Sequence, residues 1–441
     1  VMKLTEIIQQ NYTVKRLRMP LDLDILININ DPVYTFDEIL RGVNLEKYLI
    51  TNKDPRGRIG YNPINLLKVV LFGFMVTGYV SLRELEKLCR NDIRFMWLLN
   101  NEDDYPSHQT FFNFMNTYLK DTIDDIFKDI TNHIVKLDNV DLSKVYIDGT
   151  KMEASSNKYT WVWKKACITS RDRLYLKITK VIEQINDDLL MFETNKYGLR
   201  EIYEIDYLED LFNDYIVRFN VDTSTFVYKQ GKRKTSIQRY YDNINEYLTK
   251  LKDYATKINT CGEHRNSYSK TDKDATFMRI KTDYMGNDQL LPAYNFQIGV
   301  CDEYIAVADI NQYASDQDCF IPLMEKFKLN YNKYPGIAVG DAGYGSYNNY
   351  LYCENNGIEK YMKFTMYNKE TTDLKYKNNI FRAVNFKRDF EGNLICPNNK
   401  KFIHLKTRPV RGNKFERTEE LYECEDCSDC PIKELCTKSK G

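Results

Sequence analysis

KVYIDGT, Lys144–Thr150, is the stretch that decides the reading of this chain: a short apolar run of the kind that forms a buried strand ends on Asp148 and turns at Gly149. GIAVGDAGYG, Gly336–Gly345, is built the same way, with Ile337, Ala338 and Val339 leading to Asp341 and a glycine-rich turn. The chain has 63 acidic residues, so these two stand out by position alone. Carboxylates at the ends of strands leaving an apolar core can be held at a fixed separation. Hard divalent cations take oxygen ligands, and two such ions about 4 Å apart stabilise both the attacking and leaving oxygens of a phosphoryl transfer. The expectation is that Asp148 and Asp341 share a magnesium or manganese site. The competing reading is that each acid only caps a strand turn, as Asp readily does.

Working outward, the 441 residues give room for roughly three domains, or two with a large insertion. Formal net charge is zero, so attraction to a polyanion has to come from local segregation of the 63 basic residues. The longest apolar run, Leu66–Val76, carries Lys68 and falls far short of the roughly 20 residues that span a bilayer. The first residues lack the order of a secretory signal, so the expected location is the cytoplasm, with the eleven cysteines mostly reduced. Six cysteines scattered from Cys89 to Cys353 read as core filler.

LDLDILIN, Leu21–Asn28, reads as a strand or extended segment. From Tyr61 the apolar period is helical, through Ile64, Leu67, Val70, Leu71 and Phe74. Ser81 and Glu84 form a capping-box pair before a second helix, Ser107 starts a third, and Ile123, Ile126, Phe127 and Ile130 continue a fourth. Short helices with short breaks suit a helix-turn-helix or a structural bundle equally. After Asp148, Thr150–Lys165 holds Lys151, Lys158, Lys164 and Lys165 with Trp161 and Trp163, a combination that suits phosphate contact and base stacking, or a half-buried strand with both indoles on one face. Residues 170–260 are helical, broken by a basic run, Tyr228–Arg239, that includes Lys232, Arg233 and Lys234 and reads as solvated surface or as a DNA-backbone contact.

From Pro292 the period changes to that of strands. Ala293–Val300 and Glu303–Ile310 make a hairpin around Cys301 and Asp302. Ser315 and Asp318 open a helix in which Pro322 is tolerable only near the first turn, and the strand carrying Asp341 follows. A helix capped by Ser346 stops at Gly357, and Ile358–Phe364 is one more strand. Leaving the insertion aside, this is the element order of a ribonuclease H-like domain. The expected fold class is therefore α+β or α/β. Residues 1–55 form an N-terminal segment, 56–138 a helical domain, 139–365 a mixed sheet with a helical insertion at about 166–285, and 366–441 a cysteine-rich tail. In that tail Cys424, Cys427, Cys430 and Cys436, with Cys396 and His404 as substitutes, suit tetrahedral zinc better than disulfides and leave the ligand set open.

Five stretches in order, YIDGTKMEASSNKYTWVWKK, SKTDKDATFMRIK, QLLPAYNFQIGV, GDAGYGSYNNY and CEDCSDCPIKELC, resemble the bacterial insertion-sequence transposases of the DDE class with an InsH-like helical N-terminal domain. The resemblance runs from about Pro20 to Gly441. It implies that Asp148 and Asp341 are the first two acids of the triad, binding two Mg²⁺ or Mn²⁺ ions for nicking at element ends and strand transfer to target DNA. It also implies that residues 60–135 help recognise double-stranded element ends, and that active relatives work as homodimers. The family's third acid is a glutamate on a helix beyond the cysteine-rich segment. Glu354 and Glu359 do not occupy that position, so the expectation is a C-terminally truncated transposase with little strand-transfer activity alone. Two alternatives stay open, a non-catalytic protein that occupies element ends and another ribonuclease H-like nuclease.

Overall fold

The computed structural model describes residues 26–49, 60–100, 105–190, 195–228, 231–280, 286, 288–410 and 415–438. The chain divides into two compact units, Val1–Asp141 and Leu142–Gly441.

The first unit is helical. Its principal helices are Pro32–Arg41, Pro63–Thr77, Leu82–Asn91, Ile93–Leu99, His108–Phe114 and Ile123–Leu137. Side chains cap the starts of five of them: Asp31, Asn62, Ser81, Asp92 and Ser107 each accept a free backbone N–H of the first turn. The Ile93–Leu99 helix is not anticipated by the sequence reading, because a single residue, Asp92, ends one helix and caps the next. Leu67, Phe72, Leu85, Phe95 and Phe111 are fully buried in one core. A Cβ on Gly73 would lie 2.5 Å from Leu85 Cδ2, so this glycine lets two helices close on each other. Lys68, inside the apolar run, reaches Asp37 at 2.6 Å, and Asp37 also holds Arg41 Nε at 2.6 Å. Among the described residues no single helix is long and apolar enough to cross a membrane. Most of the strand expected over Leu21–Asn28 lies outside the described residues, and its last three, Leu26–Asn28, form no strand.

The second unit is built on a mixed sheet. Strand β1 is Lys144–Glu153. The insertion then supplies β2, Trp161–Trp163; β3, Ser267–Ser269; and β4, Thr276–Arg279. The sheet continues with β5, Leu290–Cys301; β6, Tyr304–Asn311; β7, Ile337–Gly340; and β8, Glu359–Met362. The main order is β6-β5-β1-β7-β8, with β4 pairing the first residues of β5. β5 runs antiparallel to both β1 and β6, while β1, β7 and β8 are parallel. That is the order and direction the ribonuclease H-like reading requires. The insertion's helices, Lys164–Leu190, Ile205–Arg218 and Ser236–Cys261, bury their own core of Leu174, Ile178, Ile185, Leu211, Tyr215 and Leu251. The tail forms two small hairpins, of which the larger pairs Phe402–Pro409 with Thr418–Cys424. All six scattered cysteines are buried.

Two local expectations are corrected. The β5–β6 turn residues are Asp302 and Glu303, both at positive φ (48° and 72°), while Cys301 pairs with Tyr304. Positive φ at both centres matches the twist of the flanking strands, which is what a two-residue hairpin demands. Pro322 sits at the seventh position of the Asp316–Tyr331 helix rather than in its first turn. The helix therefore forgoes one internal N–H bond there, while Cys319, Phe320, Leu323 and Phe327 hold it to the sheet by burial.

Removing Asp37 would leave the Lys68 ammonium, whose side chain is 13% exposed, without its carboxylate. Asp37→Ala is expected to cost about 3 kcal/mol, read as a lower denaturant midpoint, and Lys68→Met added to it should recover part of the loss. An unchanged midpoint in Asp37→Ala would show that this pair does not hold the helical unit.

Candidate strand-end carboxylate site

The site is fixed by the register of two parallel strands. Lys144, Val145, Tyr146 and Ile147 of β1 pair with Ile337, Ala338, Val339 and Gly340 of β7. The next residues, Asp148 within β1 and Asp341 just past the end of β7, therefore come level on neighbouring strands, and strands so paired lie about 4.8 Å apart. Both acids are exposed. Asp148 Oδ1 accepts the Gly149 N–H at 2.8 Å, and Asp341 Oδ1 accepts the Gly343 N–H at 2.7 Å. The turn expected at Gly149 is not there: β1 runs on through Gly149 to Glu153, paired with β5, so Asp148 sits within the strand and only Asp341 is followed by a turn. Each carboxylate is oriented by a nearby backbone amide and keeps a second oxygen.

A third acid stands here that the sequence reading passes over. Ser315 precedes the Asp316–Tyr331 helix, and the reading names Ser315 and Asp318 but not Asp316. A Cβ built on Gly343 would lie 2.8 Å from Asp341 Oδ1 and 3.5 Å from Asp316 Oδ2, so the two carboxylates flank one glycine. Asn295 Nδ2 donates to Asp316 Oδ1 at 2.8 Å, and Gln297 Nε2 donates to Asn295 Oδ1 at 2.7 Å. Gln297 Oε1 in turn accepts the hydroxyl of Tyr344 at 2.5 Å. Asn295 and Gln297 are fully buried and Tyr344 is 2% exposed, so the open carboxylates rest on a closed polar chain. The signal was present in the sequence: polar Asn295 and Gln297 recur at i and i+2 of an otherwise apolar strand, on one face of the sheet. Gly149 makes room for that face, since a Cβ there would overlap the Gln297 amide.

Burial pushes the Tyr344 phenol far above its ordinary value, and the charges of Asp316, Asp148 and Asp341 add to the effect. The hydroxyl stays protonated and acts as a donor. Among the described residues no group of three His, Cys, Asp or Glu side chains has closed to a spacing that holds a metal ion. Glu354 pairs with Lys360 and Glu359 accepts from Tyr361, so neither joins the strand-end acids.

The basic residues are dispersed. Lys151 lies on β1 opposite Asn295, and Lys158 pairs with Glu153 at 2.8 Å. Lys164 Nζ donates to the carbonyls of Gly262 and Glu263, at 2.5 and 3.3 Å, where the Ser236–Cys261 helix ends. Lys165 is exposed, as are Lys232 and Arg233. Lys234 pairs with Asp242 at 2.7 Å. Trp161 and Trp163 both pack on Phe277, with ring centroids 6.0 and 6.2 Å away. In the tail, Cys396, Cys424, Cys427, Cys430 and Cys436 all line one small cavity of about 40 Å³. Burial, with the neighbouring Cys427 and Cys396 thiols, pushes the Cys424 thiol up to about 12. His404 stands apart from that cavity, its ring edge-on to Tyr422.

Fold and site together define a ribonuclease H-like protein with acids level on its two central parallel strands, one within β1 and one just past β7. Compared with known families, residues 21–117 match the transposase domain (DUF772) and residues 395–441 match the transposase DDE domain. Both matches support an insertion-sequence transposase of the DDE class. The second match covers the cysteine-rich tail and neither Asp148 nor Asp341. Curated proteins and solved structures give no match.

Because Tyr344 is held protonated when folded and ionises near pH 10 when unfolded, its contribution is complete below about pH 10 and is lost as pH rises beyond it. Tyr344→Phe should start less stable, having left Gln297 Oε1 without its donor. Its further loss between about pH 9 and about pH 11 should be smaller than the parent's by about 1 kcal/mol in denaturant titrations. Equal losses in both proteins would refute the assignment.

Proposed function

We propose that this transposase nicks DNA at the ends of an insertion sequence and transfers the strand to target DNA, with Asp148 and Asp341 as the carboxylates that hold divalent ions. The observation that carries the reading is the parallel pairing of Ile147 with Gly340, after which both acids emerge side by side. The donors fit: they are hard, exposed oxygens, as Mg²⁺ and Mn²⁺ prefer. Ions bound there supply Lewis-acid stabilisation of the phosphodiester oxygens and lower the pKa of an attacking hydroxyl. The chain's own contribution is positional. The amides of Gly149 and Gly343 fix one oxygen of each carboxylate, and the buried Asn295–Gln297–Tyr344 chain keeps the supporting turn in place. Substrate contact falls to double-stranded DNA, bound in the cytoplasm. Lys151, Lys158, Lys164, Lys165, Lys232, Arg233 and Lys234 are its proposed contacts; Lys158 and Lys234 are ion-paired within the chain, Lys164 is held by two backbone carbonyls, and Lys165, Lys232 and Arg233 are exposed.

The tail cysteines support a structural zinc site. Their soft sulfurs line one cavity, and a dication bound there would displace the thiol protons and take the sulfurs as ligands.

Mn²⁺ titration of the purified full chain tests the carboxylate pair. Asp148→Asn or Asp341→Asn should each weaken binding by at least about tenfold, and unaltered binding in both overturns the assignment. Metal analysis after purification under reducing conditions should find zinc that Cys427→Ser diminishes. Zinc-free protein would rule that site out.

A further inference from the structure

The Lys164–Leu190 helix buries Leu174, Ile178, Val181 and Ile185 against the rest of the insertion. Its opposite side carries Lys165, Arg173, Lys177 and Lys180, all exposed. At 100° per residue these four fall within an arc of about 120° centred away from the core. From Lys164 to Ile182 the helix holds six basic residues and one acid, Asp172, which is paired with the adjacent Arg171 at 3.1 Å, and the acids of the same face, Glu183 and Asp187, follow beyond the last cation of the stripe. None of the four forms an ion pair with another described residue. Other cations of the insertion are matched: Lys250 with Glu246, Lys257 with Asp253, Lys252 with Glu209, and Arg218 with Asp214. A solvated helix face normally mixes signs in this way, and the stripe departs from it in a chain of zero net charge.

We infer that this stripe is a DNA-binding face that tracks the phosphate backbone of a duplex. The inference rests on the reading of the chain as a DNA-acting enzyme and extends it from Lys165 to Arg173, Lys177 and Lys180, which that reading did not include. Lys165 to Lys180 covers about 22 Å of helix, comparable to roughly six base pairs of B-form DNA. A straight row of cations of that length meets successive phosphates without reading bases, so the contact it makes is independent of sequence. The stripe begins where β2 ends, and Trp163, Thr169 and Ser170 lie in an open hollow between Lys165 and Arg173. The strand that carries Asp148 leads through β2 directly into this helix, so DNA held on the stripe lies on the same unit as the carboxylates.

The test is binding of the full chain to a labelled duplex of arbitrary sequence across a salt series. The variant Lys165→Ala, Arg173→Ala, Lys177→Ala, Lys180→Ala should bind at least about tenfold more weakly at low salt, with the slope of log K against log salt shallower by about 2 to 4. Alanine at exposed helical positions preserves the helix, and unchanged thermal unfolding verifies it. A Lys↔Arg exchange at all four positions should restore both affinity and slope. Unaltered affinity and slope in the alanine variant, or a parent chain that prefers a single strand of the same length, overturns the inference. The carboxylate reading fails separately. Mn²⁺ binding should survive in the alanine variant, and duplex binding should survive in Asp148→Asn.

Discussion

The parallel register of β1 on β7 is the constraint on which the rest of the second unit depends. Side chains alternate along a strand, so a slip of one residue would turn Val145 and Ile147 out of the core and bury Asp148 instead. Burial on one face fixes the register, since Val145 is wholly enclosed and Ile147 nearly so. Parallel neighbours also cannot be joined by a tight turn. The chain therefore passes through the insertion, β5, β6 and a helix between β1 and β7, which is why two acids so far apart in sequence come to neighbouring strands.

Beneath the open carboxylates the structure places a closed polar layer, and the two differ in kind. Asp148 and Asp341 are exposed, and each accepts a local amide with one oxygen and leaves the other facing outward. Asn295, Gln297 and Tyr344 are out of water, and each buried polar atom in their chain has a partner. An unpaired group there would carry a desolvation cost comparable to several ordinary contacts. Rigidity under the site thus comes from hydrogen bonds, whereas the flanking helix is held by the apolar contacts of Phe320, Leu323 and Phe327.

Much of this was legible in the sequence. The alternation of apolar and turn residues gave the strand order, the caps at Ser81, Ser107 and Ser346, and the two acids. What escaped reading did so for physical reasons. The Ile93–Leu99 helix hides because Asp92 serves two helices at once. The β5–β6 turn shifts by one because positive φ at Asp302 and Glu303 is a backbone property that neither residue type announces. Asp316 becomes a neighbour of Asp341 only through the glycine turn at Gly343, a tertiary contact with no sequence period. The charged face of the Lys164–Leu190 helix was visible in principle, but its apolar stripe drew the reading and its cations were never phased against it.

The β2–β3 ladder, separate from the main sheet, draws the two ends of the helical insertion together through three residue pairs, Trp161 with Ser269, Val162 with Tyr268, and Trp163 with Ser267. Three helices with a separate core therefore stand beyond a short two-stranded neck, which Trp161 and Trp163 pack onto Phe277 of β4. Such an arrangement divides the unit into two cooperative blocks, so the helices can exchange amide protons with solvent through an opening of their own, leaving the strand pairing beneath the carboxylates intact.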